Sequence, residues 1–266
     1  MSPMNGTTNL QDLEKEISHL EARLNNARAR FASSAHRDGK PVRMSNDPAH
    51  ALLLLSDSAL PLGSFAYSSG LESYLAHHKP LPASTTPIAS FHRFLKLSIA
   101  SVASTSLPYL LAAYRHPEKL QTLDNDLDAS TPCVVAQRVS LAQGRALLGV
   151  WERAFRTTYA SSVQAKGHFA PLWGVACLAM GLDLHQTAYL FMFNHAKAVL
   201  SAAVRASVMG PYQAQSVLTS RSLQEMLADR IEREWQTDVE RAGQVVPTLN
   251  LWVGRHELLY SRIFNS

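Results

Sequence analysis

Leu10, Leu13, Ile17, Leu20, Leu24 and Phe31 recur at spacings of three and four when Ala27 is counted between the last two, and charges fill the positions between them. That pattern predicts an amphipathic helix with a coiled-coil-like seam over residues 1–32. At about three heptads it is marginal alone, so it either lies on its own domain or serves as a partner-binding or self-associating arm. Residues 33–48, "SSAHRDGKPVRMSNDP", are polar and broken by glycine and proline, which predicts a linker.

The rest of the chain, residues 49–266, reads as helical throughout. Val135, Val139, Ala142, Ala146 and Val150 repeat at three and four, and Leu147, Trp151 and Phe155 widen the stripe. Arg138, Arg145 and Arg156 fall off it and should face solvent. Residues 167–212 read as two helices. Gly181 can take a positive φ and close the first. Asp183 is placed to cap the second, with Gln186 reaching back. Gly210-Pro211 is expected to end it, because proline cannot continue the hydrogen-bond ladder. No segment alternates with period two. The expected fold is all-α: one compact helical bundle domain, preceded by the amphipathic helix and the linker.

Composition narrows the class. Hydrophobic residues make up 46% and charged residues 17%, which fits a globular chain. The net charge of +4 is small and scattered, which argues against nucleic acid. Cys133 and Cys177 show no CxxC spacing, and the N-terminus has no apolar signal core. The most apolar stretch, residues 188–209, is interrupted by His195, Lys197 and Arg205, short of the roughly 20 residues a membrane crossing needs. A cytoplasmic protein with no membrane partner is expected.

The chemistry is sparse. Ala66-Tyr67-Ser68-Ser69-Gly70 looks like a nucleophile elbow but lacks the strand that motif requires. No GxxxxGK[ST] phosphate loop occurs. Eleven histidines include no HExxH and no zinc-spaced Cys/His cluster. His168 and His195 should satisfy core hydrogen bonds. Glu72 has two readings: the far half of a capping box with Ser69, or an exposed handle for a partner. The tail "GRHELLYSRIFNS" spends an apolar set on a chain end. It is expected to be buried, against its own domain or against another protein.

The run from Asp57 to Glu72, "DSALPLGSFAYSSGLE", resembles the loop of the urease accessory protein family UreF, with Ser64 where the family has its second glycine. "GHFAPLWGVACLAMGLD", "LSAAVRASVMGPYQAQ" and "RHELLYSRIFNS" are similar to further UreF segments, so the resemblance covers about residues 49–266. It implies an all-helical, non-catalytic chaperone of nickel insertion, a homodimer within its complex. It implies partners UreD (also UreH), the GTPase UreG and apo-urease, with no tightly bound cofactor and nickel passing through the complex. A GTPase-facing surface would then include Tyr67, Ser69, Glu72, Arg205 and Tyr212. A UreD-facing tail would include Leu259, Tyr260, Arg262, Ile263 and Phe264. The alternative is a metal-dependent helical hydrolase using scattered histidines.

Overall fold

The computed structural model describes residues 47–159 and 167–265, with Lys15, Ser18 and His19. The chain divides into units Met1–Ser45 and Asn46–Ser266. The expected arm and nearly all of the expected linker lie outside the described residues. Pro48, the last residue of that linker, is the first residue of a helix.

Every regular element described in the second unit is helical. Helix α1 is Pro48–Ser56; Asp47 caps it, its carboxylate accepting the Ala49 N–H at 2.9 Å. The loop motif leads into α2, Leu71–His77, followed by α3, Pro87–Thr105, and α4, Leu107–Arg115. Helix α5 is Leu120–Ser130. Helix α6, Val134–Val150, runs into a π-helical turn, Trp151–Phe155, and a final turn, Arg156–Tyr159. Helices α7, Phe169–Ala179, and α8, Leu184–Arg205, are followed by α9, Pro211–Thr219, α10, Arg221–Glu234, and α11, Pro247–Arg255.

Helices α3, α4, α7 and α8 supply most of the core, with Phe91, Phe94, Ile99, Leu110, Trp173 and Met192 fully buried. Residues Pro87–Arg115 are long and apolar enough to cross a membrane by length and composition, but 72% of their apolar window is buried in the body. The break between α3 and α4 has a chemical cause. Pro108 has no N–H to give the Ser104 carbonyl, and the Gly243 N–H takes its place at 3.1 Å. Helices α4 and α7 pack so closely that a Cβ on Gly174 would come within 2.5 Å of the Leu110 carbonyl oxygen.

The start of α7 is fixed by polar contacts. The His168 N–H donates to Asp124 at 2.5 Å, and a Cβ on Gly167 would run into that same carboxylate. The His168 ring is buried, with Nδ1 3.0 Å from Ser140 Oγ and Nε2 2.9 Å from Asp128. This is the core role expected for His168. The contact with His168 also holds the Asp128 carboxyl below its usual range. Ser140 Oγ accepts the Phe169 N–H as well, at 3.2 Å, so this serine ties α6 to the start of α7.

The caps of α8 follow the sequence at one end only. Asp183 and Gln186 form the expected capping box, and Gly181 closes α7 at φ 80°. Helix α8, however, ends at Arg205, before Gly210-Pro211. Ser207 takes φ 58°, and its N–H and that of Val208 return to the Val204 and Ala203 carbonyls, each at 3.0 Å. A Schellman turn thus stops the helix without glycine. Gly210 and Pro211 instead start α9, where proline costs no hydrogen bond. Arg138, Arg145 and Arg156 are exposed, as expected.

Candidate functional site

The loop after α1 is held from several sides. Asn194 Nδ2 on α8 donates to the Leu55 carbonyl at 3.0 Å, and Lys197 Nζ donates to the Ser56 carbonyl. These two side chains occupy carbonyls that a helix C-terminus leaves free, and the lysine charge suits that end of the dipole. Gln143 on α6 donates to Ser64 Oγ at 3.0 Å. Ser64 starts a right-handed 3-10 turn, so this position does not require glycine. Gly70 does require it: φ is 86°, and a Cβ would lie 3.0 Å from Val253 on α11.

The loop walls a cavity of about 460 Å³. Tyr67 and Ser69 line it together with Ser98 of α3 and His195 of α8. His195 Nε2 lies 2.9 Å from Ser98 Oγ, the core hydrogen bond expected of it. Burial holds the His195 imidazole down to about 4, against an ordinary 6.5. A ring with a lowered folded value gains a proton on unfolding. Its contribution is therefore intact above about pH 6.5 and is lost as pH falls toward 4. The cost should reach roughly 1–2 kcal/mol by about pH 5. The melting temperature of His195→Gln should fall less between neutral pH and about pH 5 than that of the wild type. Equal falls would show that other groups carry the acid sensitivity.

Glu72 is the junction of the site. The capping box with Ser69 does not form. Ser69 (φ 54°) and Gly70 are both left-handed, Gly70 is the cap, and Ser68 Oγ accepts the Glu72 N–H at 3.3 Å. Nor is Glu72 exposed: its side chain is only 12% accessible. Its carboxylate accepts from His256 Nε2 at 2.8 Å, from the Ile263 N–H at 2.7 Å and from the Phe264 N–H at 3.2 Å. His256 is fully buried, and its Nδ1 has no partner among the described residues, which fits a ring carrying its proton on Nε2. The Asn265 N–H closes the seam on the Ala66 carbonyl at 2.9 Å.

The end of α8 meets the same place. The Arg205 guanidinium lies 4.4 Å from the Phe264 ring centroid, and its Nε donates to the Ser201 carbonyl at 3.3 Å. The charge thus emerges at an edge and finds an acceptor. Three separated segments, the loop, the α8 terminus and the tail, therefore converge. The tail answers its own question by dividing. Phe264 is buried in its own domain at 4% exposure, while Tyr260, Arg262 and Ile263 are exposed and Leu259 is half-buried. With Phe65, Tyr260 and Ile263 give the loop and tail exposed apolar side chains. Tyr212 is exposed on the first turn of α9. Sequence reading missed Asn194, Gln143, Lys197 and His256 as holders of this arrangement.

Among the described residues, no three His, Cys, Asp or Glu side chains are grouped to hold a metal ion. Nothing in the geometry favours the metal-dependent hydrolase.

Comparison with known proteins gives the family. The UreF family model matches residues 86–222. A protein of Schizosaccharomyces pombe described as an uncharacterized urease accessory protein UreF-like is 39% identical over 84% of this chain and 99% of its own length. Urease accessory protein F of Oryza sativa subsp. japonica is 32% identical over 79% of this chain and 82% of its own. Urease accessory protein UreF of Actinobacillus pleuropneumoniae is 26% identical over 81% of this chain and 98% of its own. A helical body whose residues 86–222 match the family model, with relatives at 39% and 32% identity that cover most of both chains, leads to one conclusion: the chain belongs to the UreF family of urease accessory proteins.

Proposed function

We propose that the chain is a non-catalytic scaffold for insertion of nickel into urease. It bridges a UreD-type (UreH) partner and the GTPase UreG on apo-urease and regulates the GTPase. It works in the cytoplasm as a homodimer within the complex, and nickel passes through that complex as cargo. The observation that carries this reading is the convergence at Glu72. The loop, the α8 terminus and the tail build one seam there, and Phe65, Tyr260 and Ile263 stand exposed on the loop and tail segments. Tyrosine and arginine, here Tyr260 and Arg262, are enriched among the residues that carry most of an interface's binding energy. The seam presents these groups and does no chemistry itself.

In this reading Tyr260, Arg262 and Ile263 face the UreD-type partner. Phe264 pins the tail from inside, and Leu259 supports it. Tyr67, Ser69, Glu72, Arg205 and Tyr212 shape or line the GTPase-facing side. Lys197 and Asn194 hold the loop in place for both. The test is sequential capture, with the immobilised chain offered the UreD-type protein and then UreG. Retention of both supports the scaffold, and retention of neither refutes it.

A second expectation concerns nucleotide. The chain has no phosphate loop, so GTP with magnesium should give no saturable heat in the micromolar range when titrated into the isolated protein. A stoichiometric site would mean that the chain takes part in the nucleotide chemistry directly.

A further inference from the structure

The cavity walled by the loop has a lining that docking through the tail leaves unused. Its volume, about 460 Å³, falls within the roughly 300–1,000 Å³ of small-molecule sites. Helix α3 contributes Ser98, Ser101 and Thr105 to the lining, at spacings of three and four that set them along one stripe of the helix. Ser98 and Ser101 are buried, at 0% and 3% exposure. Asn194 of α8 also lines the cavity, and its buried Oδ1 has no hydrogen-bond partner among the described residues. The apolar part of the lining includes an aromatic cluster. The Phe169 ring lies 5.3 Å from that of Trp173 and 5.8 Å from that of Phe191.

Charge is scarce in this lining, and what there is has been taken up. His195 is neutral at pH 7, since burial holds it down to about 4. Asp57 and Lys197 are the other titratable carboxylate and amine that line the cavity. The Asp57 carboxylate accepts the Ala59 N–H at 2.9 Å, and Lys197 Nζ donates to the Ser56 carbonyl. Burial lowers the Lys197 amine, and the Asp57 charge partly offsets this, so each has the other as its counter-ion. A charged ligand would give up its hydration for a lining with no free counter-ion. An uncharged ligand pays no such penalty, and it can use hydroxyls and an amide as partners.

We propose that this cavity is a binding site for an uncharged organic molecule that carries an apolar ring and a hydroxyl or amide group. The rings of Phe169, Trp173 and Phe191 suit its apolar part, and the α3 hydroxyls and the Asn194 amide suit its polar part. Tyr67 and Ser69 of the loop line the same space, so an occupant would hold the loop from within. The inference goes beyond the scaffold reading, which rests on side chains exposed on the loop and tail.

The test titrates the full chain with prodan, an uncharged naphthalene ketone whose emission shifts in apolar surroundings. Binding should saturate at one dye per chain. Three competitors share one skeleton and differ in the head group: 4-phenylbutan-1-ol, 4-phenylbutyrate and 4-phenylbutylamine. The alcohol should displace the dye at a concentration at least about tenfold lower than either ion. Ala198→Phe and Ala136→Phe each put a ring at a lining position and should each weaken dye binding at least about tenfold. Two blocking variants are made so that one that still melts cooperatively can be read. A control, Leu53→Ser/Leu251→Ser/Leu258→Ser, removes exposed apolar groups that do not line the cavity and should bind the dye as the wild type does. Failure of the dye to saturate would overturn the proposal, and so would wild-type binding by a folded blocking variant or loss of binding in the control. Displacement by the carboxylate or the amine at least as good as by the alcohol would overturn the class of ligand. None of these outcomes depends on whether UreD or UreG is captured through the loop and tail.

Discussion

Deleting residues 260–266 is expected to abolish capture of the UreD-type partner, the largest functional effect of any change considered. The segment contains Tyr260, Arg262 and Ile263, the exposed groups proposed to make the contact. It also contains Phe264, buried at 4% exposure, and the two N–H groups that Glu72 accepts. The deletion should therefore also lower stability, since losing a buried phenylalanine costs about 3–5 kcal/mol. Two surface changes separate these effects. Tyr260→Ala with Ile263→Ala keeps Phe264 and both backbone hydrogen bonds. It should melt within about 2 °C of the wild type, as surface changes usually do, yet bind the partner at least about tenfold more weakly, as loss of interface anchors does. If the deletion unfolds the body but the double variant binds normally, the tail is a structural strap and the partner site lies elsewhere.

Glu72→Ala should produce the second-largest effect, and on stability first. As a cap alone, Glu72 would account for about 1 kcal/mol. As found, it is the acceptor for a fully buried imidazole and for two backbone N–H groups. Removing it strands those donors, at roughly 3 kcal/mol in all. For a body of this size that is a fall of about 6–12 °C in melting temperature. Urease activation should fall with it, because the tail loses its anchor on α2. Glu72→Gln keeps one acceptor oxygen and should recover part of both losses. A melting point unchanged in Glu72→Ala would show that the seam opens at little cost and does not fix the tail. Arg205→Ala should be milder in stability, because an exposed cation over an aromatic ring contributes about 0.5–1 kcal/mol.

What the sequence made legible was local. The Asp183–Gln186 box, the turn at Gly181 and the α6 stripe each follow from residues within one or two turns of each other. Local signals also misled where one pair of residues serves two ends. Gly-Pro stops one helix and starts the next equally well, and Ser207 had already ended α8 with a left-handed turn that serine seldom takes. The site was legible as a set of segments and not as contacts. Glu72 and His256 are 184 residues apart, and Lys197 and Ser56 are 141 apart. No periodicity carries such a pairing. His256 stood in the quoted tail as one more polar residue, and Lys197 as a charge interrupting an apolar stretch. A charge that persists on a buried helix was the available signal that something must receive it, and the receiver is the end of α1.

The proposal that the seam is a docking surface meets its most direct test in capture with the fold held constant. The full chain and a Phe65→Ser/Tyr260→Ser/Ile263→Ser variant, all three positions exposed, would be immobilised at equal density. Each would be offered the UreD-type protein of the same source and then UreG, with melting curves recorded in parallel. The account predicts that the wild type retains both proteins in sequence, while the variant melts with the wild type and retains neither. Equal retention by a variant that melts normally would contradict it.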